Sequence, residues 1–226
     1  MTYLISTLIF AVVGTAQLNI FEIEGIFSNA HINALEGHIE EYEYTDDDLL
    51  ILQYSSQEGS AESIAELNSL LSGYDFPIGV WFGPYKISID FKQLNNFDYI
   101  GFSPGLEINN VSFDESVEKK YCTINICNFE ERKIIVSTNE GIYDNYLIVG
   151  TLGSFIENID FVISDQSIEF FKPSLFERFY IAISNPIFTY MFFVLGFALI
   201  GLELFAIGPG LMAVVGSLLV ISSTLP

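Results

Sequence analysis

The chain has 226 residues with 29 acidic and 8 basic side chains, for a formal net charge of −21, and half of its residues are apolar. A chain this acidic repels nucleic acid and anionic lipid headgroups, so nucleic-acid binding is excluded as its main activity. Residues 1–16 and 186–226 contain no lysine or arginine and a single acid, Glu203. We therefore predict an acidic soluble domain followed by an apolar segment that anchors it to a membrane.

Residues 1–16 have the character of a signal peptide or an N-terminal anchor. An apolar run from Tyr3 to Val13 is followed by the small residues Gly14 and Ala16, as in a secretory signal. A basic region before the apolar run is missing, so a retained anchor or a buried strand stays an alternative. We expect the soluble domain to be exported.

The first half of the domain alternates strands and helices. Apolar residues at helical spacing predict two helices, one capped by Ser28 or Asn29 and one starting at Ser60 or Ser63. Three apolar runs predict strands, and Ser55–Gly59 is predicted as a loop. This order is typical of a parallel βαβαβ unit. The strands are Leu18–Glu24, Leu49–Leu52 and Ile78–Phe82; the inward helical residues are Ile32, Leu35, Ile39, Tyr42, Ile64, Leu67 and Leu71.

After the turn at Gly83-Pro84 the pattern is less regular. A helix is predicted over Thr151–Glu157, and Lys172-Pro173 ends the soluble domain. The further strand candidates are Phe97–Phe102, Tyr121–Ile126, Ile134–Ser137, Asn145–Val149, Phe161–Ile163 and Ile168–Phe171.

Cysteines and histidines give no metal site. Cys122 and Cys127 would point to opposite faces of one continuous strand, so we expect buried free thiols, with a disulfide as the alternative in an exported domain. His31 and His38 are two helical turns apart, about 10 Å, too far for one metal ion, and we expect both at the surface. No metal and no cofactor is predicted.

The C-terminal segment is predicted to be an amphipathic helix followed by a membrane hairpin. Ser174–Ser184 mixes aromatic and charged residues and suits the membrane interface. Ile187–Ile207 is long enough to span the hydrocarbon core, and Gly208-Pro209-Gly210 forms a turn. Leu211–Leu225 is too short to span, so the chain is either cut inside its second helix or half-spanning. Glu203 either snorkels, is protonated, or makes a polar contact that fixes the hairpin.

The hairpin string SNPIFTYMFFVLGFALIGLELFAIGPGLMAVVGS resembles the membrane region of the NfeD family, which are membrane-bound relatives of the ClpP proteases. The segments IFEIEGIFSNA, LLILQYSSQEGS, FPIGVWFGP and FSPGLEINN resemble landmarks of the ClpP-like domain in this family. The resemblance implies a ClpP/crotonase-like α/β domain of repeated β-β-α and βαβ units over 17–173, followed by the interfacial helix and transmembrane hairpin over 174–226.

Active family members carry a serine among small residues, a Pro-Gly-Gly oxyanion turn and a lysine base. An ungapped alignment puts the nucleophile at Phe91, and a gap after Pro84 puts it at Ser88. The turn corresponds to Gln57-Glu58-Gly59, so Gly59 is the candidate oxyanion residue. Lys119 or Lys120 is the candidate base. Large or charged residues stand where acyl transfer needs close backbone approach, so the resemblance implies a degraded catalytic motif.

Three functions are consistent with these residues. The favoured one is a non-proteolytic scaffold or partner-binding protein at the cell membrane, with its soluble domain outside the cytoplasm. The second is a membrane-bound serine endopeptidase with a Ser-Lys dyad, and the third is a pure anchor for an unrelated partner. The expected partner is a membrane protein or a peptide, with a homo-oligomer as an option.

Overall fold

The computed structural model of the chain describes residues 17–224, apart from 43, 60, 90, 145, 162–167, 172, 184–185 and 206–209. The predicted signal peptide or anchor over 1–16 lies outside the described residues.

In the described part of the chain, seven strands form one sheet in the order β11-β1-β2-β3-β5-β10-β9. All neighbours run parallel except β9, which is antiparallel to β10. The bounds are β1 Leu18–Phe27, β2 Leu49–Gly59, β3 Ile78–Phe82, β5 Tyr99–Phe102, β9 Gly141–Tyr143, β10 Tyr146–Ile148 and β11 Ile168–Phe171.

The central strands of the sheet are buried on both faces because helices cover each face. On one side pack α1 (Asn29–Tyr42) and α2 (Ala61–Leu71) with their predicted apolar stripes. On the other side packs α4 (Leu152–Asn158) through Phe155. A Cβ at Gly101 in β5 would lie 2.5 Å from the Phe155 ring, so only glycine admits this close approach. Burial on both faces explains the continuous apolar run at the start of β2.

A second, four-stranded sheet follows the order β4-β6-β8-β7 among the described residues. Glu107 lies on β6, one of the two inner strands of this sheet, and forms ion pairs with Lys86 at 2.9 Å and Lys133 at 3.0 Å. Between β6 and β7 lies the short helix α3, Glu115–Tyr121, capped by Asp114. The strands are β4 Ile87–Ser88, β6 Glu107–Asn109, β7 Ile126–Asn128 and β8 Lys133–Ile135.

Two secondary-structure predictions were wrong. Ser55–Gly59 is not a loop: β2 continues through it, paired with β1 as far as Phe27, and Gln57 is the extra residue of a bulge in β2 opposite Gly25 (φ 77°) and Ile26. Tyr121–Ile126 is not a strand, since α3 ends at Tyr121 and a turn follows. The Asp114 carboxylate accepts the amides of Ser116 and Val117, a helix-capping signal that was not used. Phe161 lies outside any strand, and the rest of that candidate falls on residues that are not described.

The free-thiol prediction was also wrong: Cys122 and Cys127 form a disulfide, with their Cα atoms 5.6 Å apart. They do not lie on one strand. Cys122 follows α3 and Cys127 lies in β7, so the turn between them brings the two sulfurs together.

Both histidines were expected at the surface, and this expectation was wrong for His31. His31 is 3% exposed, and its Nε2 donates to the Glu24 carbonyl at 3.1 Å. His38 is half-buried against Phe171, with ring centroids 4.2 Å apart. The buried face of α1 is wider than its aliphatic stripe and includes His31.

Among the described residues, three helices follow β11: α5 Leu175–Ile183, α6 Pro186–Phe205 and α7 Leu211–Ser222. The segment Ile187–Phe205 of α6 is long and apolar enough to cross a membrane, with a mean hydropathy of 2.1. α6 and α7 cross where a Cβ at Gly196 would lie 2.7 Å from the Gly216 carbonyl oxygen. The predicted turn falls largely on residues outside the described range. The Glu203 carboxylate accepts the Gly210 amide at 2.7 Å, which supports the polar-contact interpretation of this acid.

Candidate functional site

Ser88 lies on β4, shortly after the Gly83-Pro84 turn that ends β3. It is half-buried, paired in register with Asn109, and its Oγ accepts a hydrogen bond from the Asn110 side-chain amide at 2.5 Å. Asn110 adopts a left-handed conformation, φ 59°, that brings its amide to this hydroxyl. The hydroxyl oxygen is therefore engaged within the small sheet.

Three backbone amides close to Ser88 in the chain are bonded internally. Gly83 donates to the Tyr54 carbonyl at 2.9 Å, Tyr85 to the Gly83 carbonyl at 2.8 Å, and Ile89 to the Asn109 carbonyl at 3.3 Å. An oxyanion hole needs amides that point at empty space where substrate charge develops. These three amides do not meet that requirement.

Phe91 stands where the ungapped alignment with the family puts the nucleophile. It opens a 3-10 turn over Phe91–Leu94 and is 4% exposed. Its ring centroid lies 4.1 Å from that of Tyr121 and 6.3 Å from that of Phe102. This position is a packed aromatic core.

The packing continues as an aromatic row, formed by Tyr54, Phe82, Phe102 and Tyr146. Successive ring centroids along the row are 5.5, 5.6 and 5.6 Å apart. Phe82 and Phe102 are the last residues of β3 and β5 and lie side by side in register. Ligands of open α/β sheets bind at the carboxyl ends of the strands, and here buried rings fill that location.

Lys119 and Lys120 lie on α3 and are exposed. They line a depression of about 600 Å³ with Ile124, Ile142, Tyr143 and Tyr146, which we call the lysine depression. Ser88 is not among its lining residues, and within the described residues no hydrogen bond links Ser88 to either lysine. The structure does not join these candidates into a dyad, and their catalytic role stays a prediction.

Gly59 is the last residue of β2 and lies opposite Phe27 of β1. Its backbone therefore belongs to a strand ladder rather than to a tight turn. Its role as an oxyanion residue stays a prediction.

Burial perturbs the phenols around this region. Desolvation raises the pKa of Tyr54 to about 12 and also raises the pKa values of Tyr121 and Tyr146. These phenols therefore stay protonated at neutral pH and cannot serve as bases. In the portion of the chain that is described, no group of three histidine, cysteine or carboxylate side chains could hold a metal ion.

Sequence reasoning missed the aromatic row. The available signal was an aromatic residue near the end of each apolar run, at Tyr54, Phe82 and Phe102. Phe82 and Phe102 end their predicted strands and Tyr54 follows another, but the register that aligns them across the sheet is not visible in the sequence.

No family model and no curated protein matches this chain. Among solved structures, it is similar to the 1510-N membrane-bound stomatin-specific protease in complex with a substrate peptide. The TM-score is 0.52 at 8% identity, over 76% of this chain and 99% of that chain. A second structure of that protease aligns with a TM-score of 0.47 at 8% identity, over 72% of this chain and 100% of the other. At this identity the likeness concerns the fold: the mixed α/β sheets have the ClpP-like protease fold, followed by an apolar helix that could cross a membrane.

Proposed function

We propose that this chain is a membrane-anchored ClpP-like protein of the NfeD type that binds a partner at the membrane without hydrolysing peptide bonds. The observation that carries this proposal is the aromatic filling at the ends of β3 and β5, together with the burial of Phe91, the position that the ungapped alignment gives to the nucleophile. A substrate backbone cannot approach a position that is already close-packed.

The remaining candidate groups do not compensate for this filling. The Ser88 oxygen accepts a hydrogen bond from Asn110, and the exposed Lys119 and Lys120 lack the desolvation that a neutral lysine base requires. Losing one oxyanion donor costs about 100- to 1,000-fold in turnover, and the amides of Gly83, Tyr85 and Ile89, close to Ser88 in the chain, are all bonded to other carbonyls. The combined losses support a binding function over a hydrolytic one.

The alternative is a membrane-bound serine endopeptidase that uses Ser88 with Lys119 or Lys120. Its support is the fold shared with a protease whose structure is known in complex with a substrate peptide. A rearrangement that brings Ser88 next to one of these lysines would be needed before this chain could act in that way.

The disulfide supports an exported soluble domain, because disulfides persist in oxidising compartments. The expected partner is then a membrane protein or peptide on the extracytoplasmic side, and a homo-oligomer stays an option. Maleimide labelling in intact cells tests this location. Cys122 and Cys127 should stay unreactive until a reductant is added, and rapid labelling without reductant would contradict export.

Labelling with a serine-reactive phosphonate tests the non-hydrolytic proposal. We expect no labelling of the detergent-solubilised chain and no cleavage of hydrophobic peptides. Ser88→Ala should behave as the wild type does. Ser112→Ala is the matched control, because the Ser112 hydroxyl also accepts a side-chain hydrogen bond, from Arg132 at 3.3 Å. Cleavage that Ser88→Ala abolishes and Ser112→Ala retains would establish the endopeptidase instead.

A further inference from the structure

The lysine depression lies on the surface of the soluble domain. Its volume of about 600 Å³ is in the range of sites that hold small ligands or short peptide segments. Its lining includes two lysines, Lys119 and Lys120, and two apolar residues, Ile124 and Ile142. It therefore offers cationic and apolar surface to one ligand.

The two lysines are not used elsewhere. Lys86 and Lys133 pair with Glu107, Arg132 donates to the Val111 carbonyl, and Arg178 donates to the Pro173 carbonyl. Among the basic side chains whose positions are described, only the ammonium groups of Lys119 and Lys120 make no ion pair or hydrogen bond. Lys120 lies 5.3 Å from the centre of the Tyr121 ring, which holds it beside the depression.

The apolar part is unusually exposed for a soluble domain. Ile142 is 67% exposed and lies in β9, the last strand of the large sheet among the described residues. Ile126, also 67% exposed, lies two residues beyond Ile124 on β7, the last strand of the small sheet. An outer strand presents backbone donors and acceptors to an added extended segment.

The charge balance specifies how much negative charge the ligand carries. The lining contributes two lysines and one carboxylate, Asp144, so it favours a single anionic group. A polyacidic segment would be repelled by the domain around it, since the chain carries a net charge of −21. A free C-terminal carboxylate next to apolar side chains meets both conditions.

We infer that the lysine depression binds the C-terminal end of an apolar polypeptide. Lys119 and Lys120 hold its terminal carboxylate, Ile124 and Ile142 contact its side chains, and β9 pairs with its backbone. This inference rests on the proposed function, because it identifies the partner of a non-hydrolytic chain. The extended backbone groups of β9 favour a peptide over a fatty acid, which has none to pair with them.

A matched pair of probes tests this inference. One is a fluorescein-labelled heptapeptide of valine, isoleucine and threonine with a free C-terminus; the other is the same peptide amidated at its C-terminus. Each is titrated against the full chain in zwitterionic lipid nanodiscs and followed by fluorescence anisotropy, with empty nanodiscs as the blank. We expect the free-carboxylate peptide to bind about tenfold tighter at low salt, with the advantage shrinking as salt is added.

Variants then locate the site. The double change Lys119→Gln, Lys120→Gln should remove the preference for the free carboxylate, whereas Lys86→Gln, at an exposed lysine outside the depression, should keep it. Ile142→Ser should weaken both peptides equally. Thermal unfolding of each variant checks that these exposed changes leave the fold intact.

The following results would overturn the inference. Equal binding of both peptides, or a preference that survives the double lysine change, would exclude carboxylate recognition at this place. Displacement of the peptide by equimolar laurate would assign the depression to a fatty acid. Concentration-dependent dimerisation that Ile142→Ser abolishes would assign it to a second copy of the chain. Mass spectrometry of the same mixtures keeps the two proposals apart, because peptide cleavage contradicts the proposed function and not the binding site.

Discussion

Phe91 decides how the region after the Gly83-Pro84 turn behaves, since its ring lies between those of Tyr121 and Phe102. A ClpP-like fold with a small residue here would leave room for a substrate. A phenylalanine that is almost completely buried converts the same location into core. The difference between a catalytic and a structural region can thus depend on one side chain and the rings that it contacts.

Phe91→Ala should lower the free energy of unfolding by about 3–5 kcal/mol, because the variant leaves a cavity among aromatic rings. The control is Phe129→Ala, at a phenylalanine that is 51% exposed, which should cost less than about 1 kcal/mol. Urea unfolding of the detergent-solubilised chain measures both. Equal and small costs would show that the region around Phe91 is open.

His31 gives a pH-dependent prediction. Burial lowers the pKa of His31 below its usual value, and the hydrogen bond to the Glu24 carbonyl opposes this shift only in part. The unfolded chain therefore binds the proton more tightly, and stability decreases as the pH falls through about 6.5. Above that pH the contribution of neutral His31 to the free energy of unfolding is fully present.

In His31→Gln this contribution is absent. The difference in melting temperature between wild type and variant should therefore shrink between about pH 7.5 and 5. Groups such as His38, whose pKa burial also lowers, are common to both proteins and cancel in the comparison. A constant difference across this pH range would show that His31 does not titrate with the folding equilibrium.

At the scale of elements, the parallel core, helix α4 and the later strands β5, β8, β10 and β11 could be predicted, whereas the short elements β4, β6, α3, β7 and β9 could not. Two helices with apolar stripes and three apolar runs correspond to α1, α2 and the first three strands of the sheet. These elements are long, and burial on both faces gives them a clear pattern. The elements β6, α3, β7 and β9 contain three to seven residues each, too few to show a periodic pattern of apolar residues.

The candidate site was less accessible to sequence reasoning than the core. Ser88 and the two lysines could be named from a resemblance, but their separation depends on how α3 and β4 are placed by long-range pairing. The continuation of β2 to Gly59 likewise depends on its pairing with β1, which is more than 30 positions earlier in the chain and accommodates a bulge at Gln57. The placement of such elements depends on contacts with residues that are distant in the sequence, and a local sequence pattern does not contain this information.

The disulfide closes the turn between α3 and β7 over a sequence separation of 5. Replacing both residues, Cys122→Ser and Cys127→Ser, should reduce the free energy of unfolding by about 2 kcal/mol, because a short loop regains its freedom in the unfolded chain. Chemical denaturation measures this change. A reductant should destabilise the wild type by a similar amount and leave the double variant unaffected; destabilisation of both would indicate another cause.

The crossing of α6 and α7 depends on two glycines. A Cβ at Gly196 would lie 2.7 Å from the Gly216 carbonyl oxygen, so a side chain at Gly196 must separate the helices. Gly196→Val should therefore accelerate amide hydrogen exchange in Leu211–Ser222, as measured by mass spectrometry. Gly201→Val is the control, since a Cβ there meets nothing within 4 Å. Equal exchange in the two variants would show that this packing does not hold the hairpin together.

At the scale of the whole molecule, charge and apolar surface are divided between its two ends. All eight basic residues and 28 of the 29 acidic ones lie outside the segment 186–226. The helices of that segment expose large apolar side chains such as Leu204 and Phe205. A contiguous apolar surface of this kind is unfavourable in water and marks a site that contacts a membrane or another protein. A lipid environment satisfies these side chains, and it places the acidic domain next to a membrane that its charge does not itself attract.

Residues 174–226 alone should therefore carry a soluble reporter into the membrane fraction and resist extraction with alkaline carbonate. The segment Ile187–Phe205 supplies a full span of apolar side chains, and α5 adds aromatic residues suited to the interface. Leu195→Arg places a charge near the middle of this span, where insertion costs about 2.5–3.5 kcal/mol, and should shift part of the reporter to the soluble fraction. Glu203→Gln, near the end of the span, should retain membrane binding because it keeps an acceptor for the Gly210 amide. If carbonate released the unmodified fusion, the hairpin would be a soluble packing element, and a protein surface rather than a lipid bilayer would have to cover its apolar side chains.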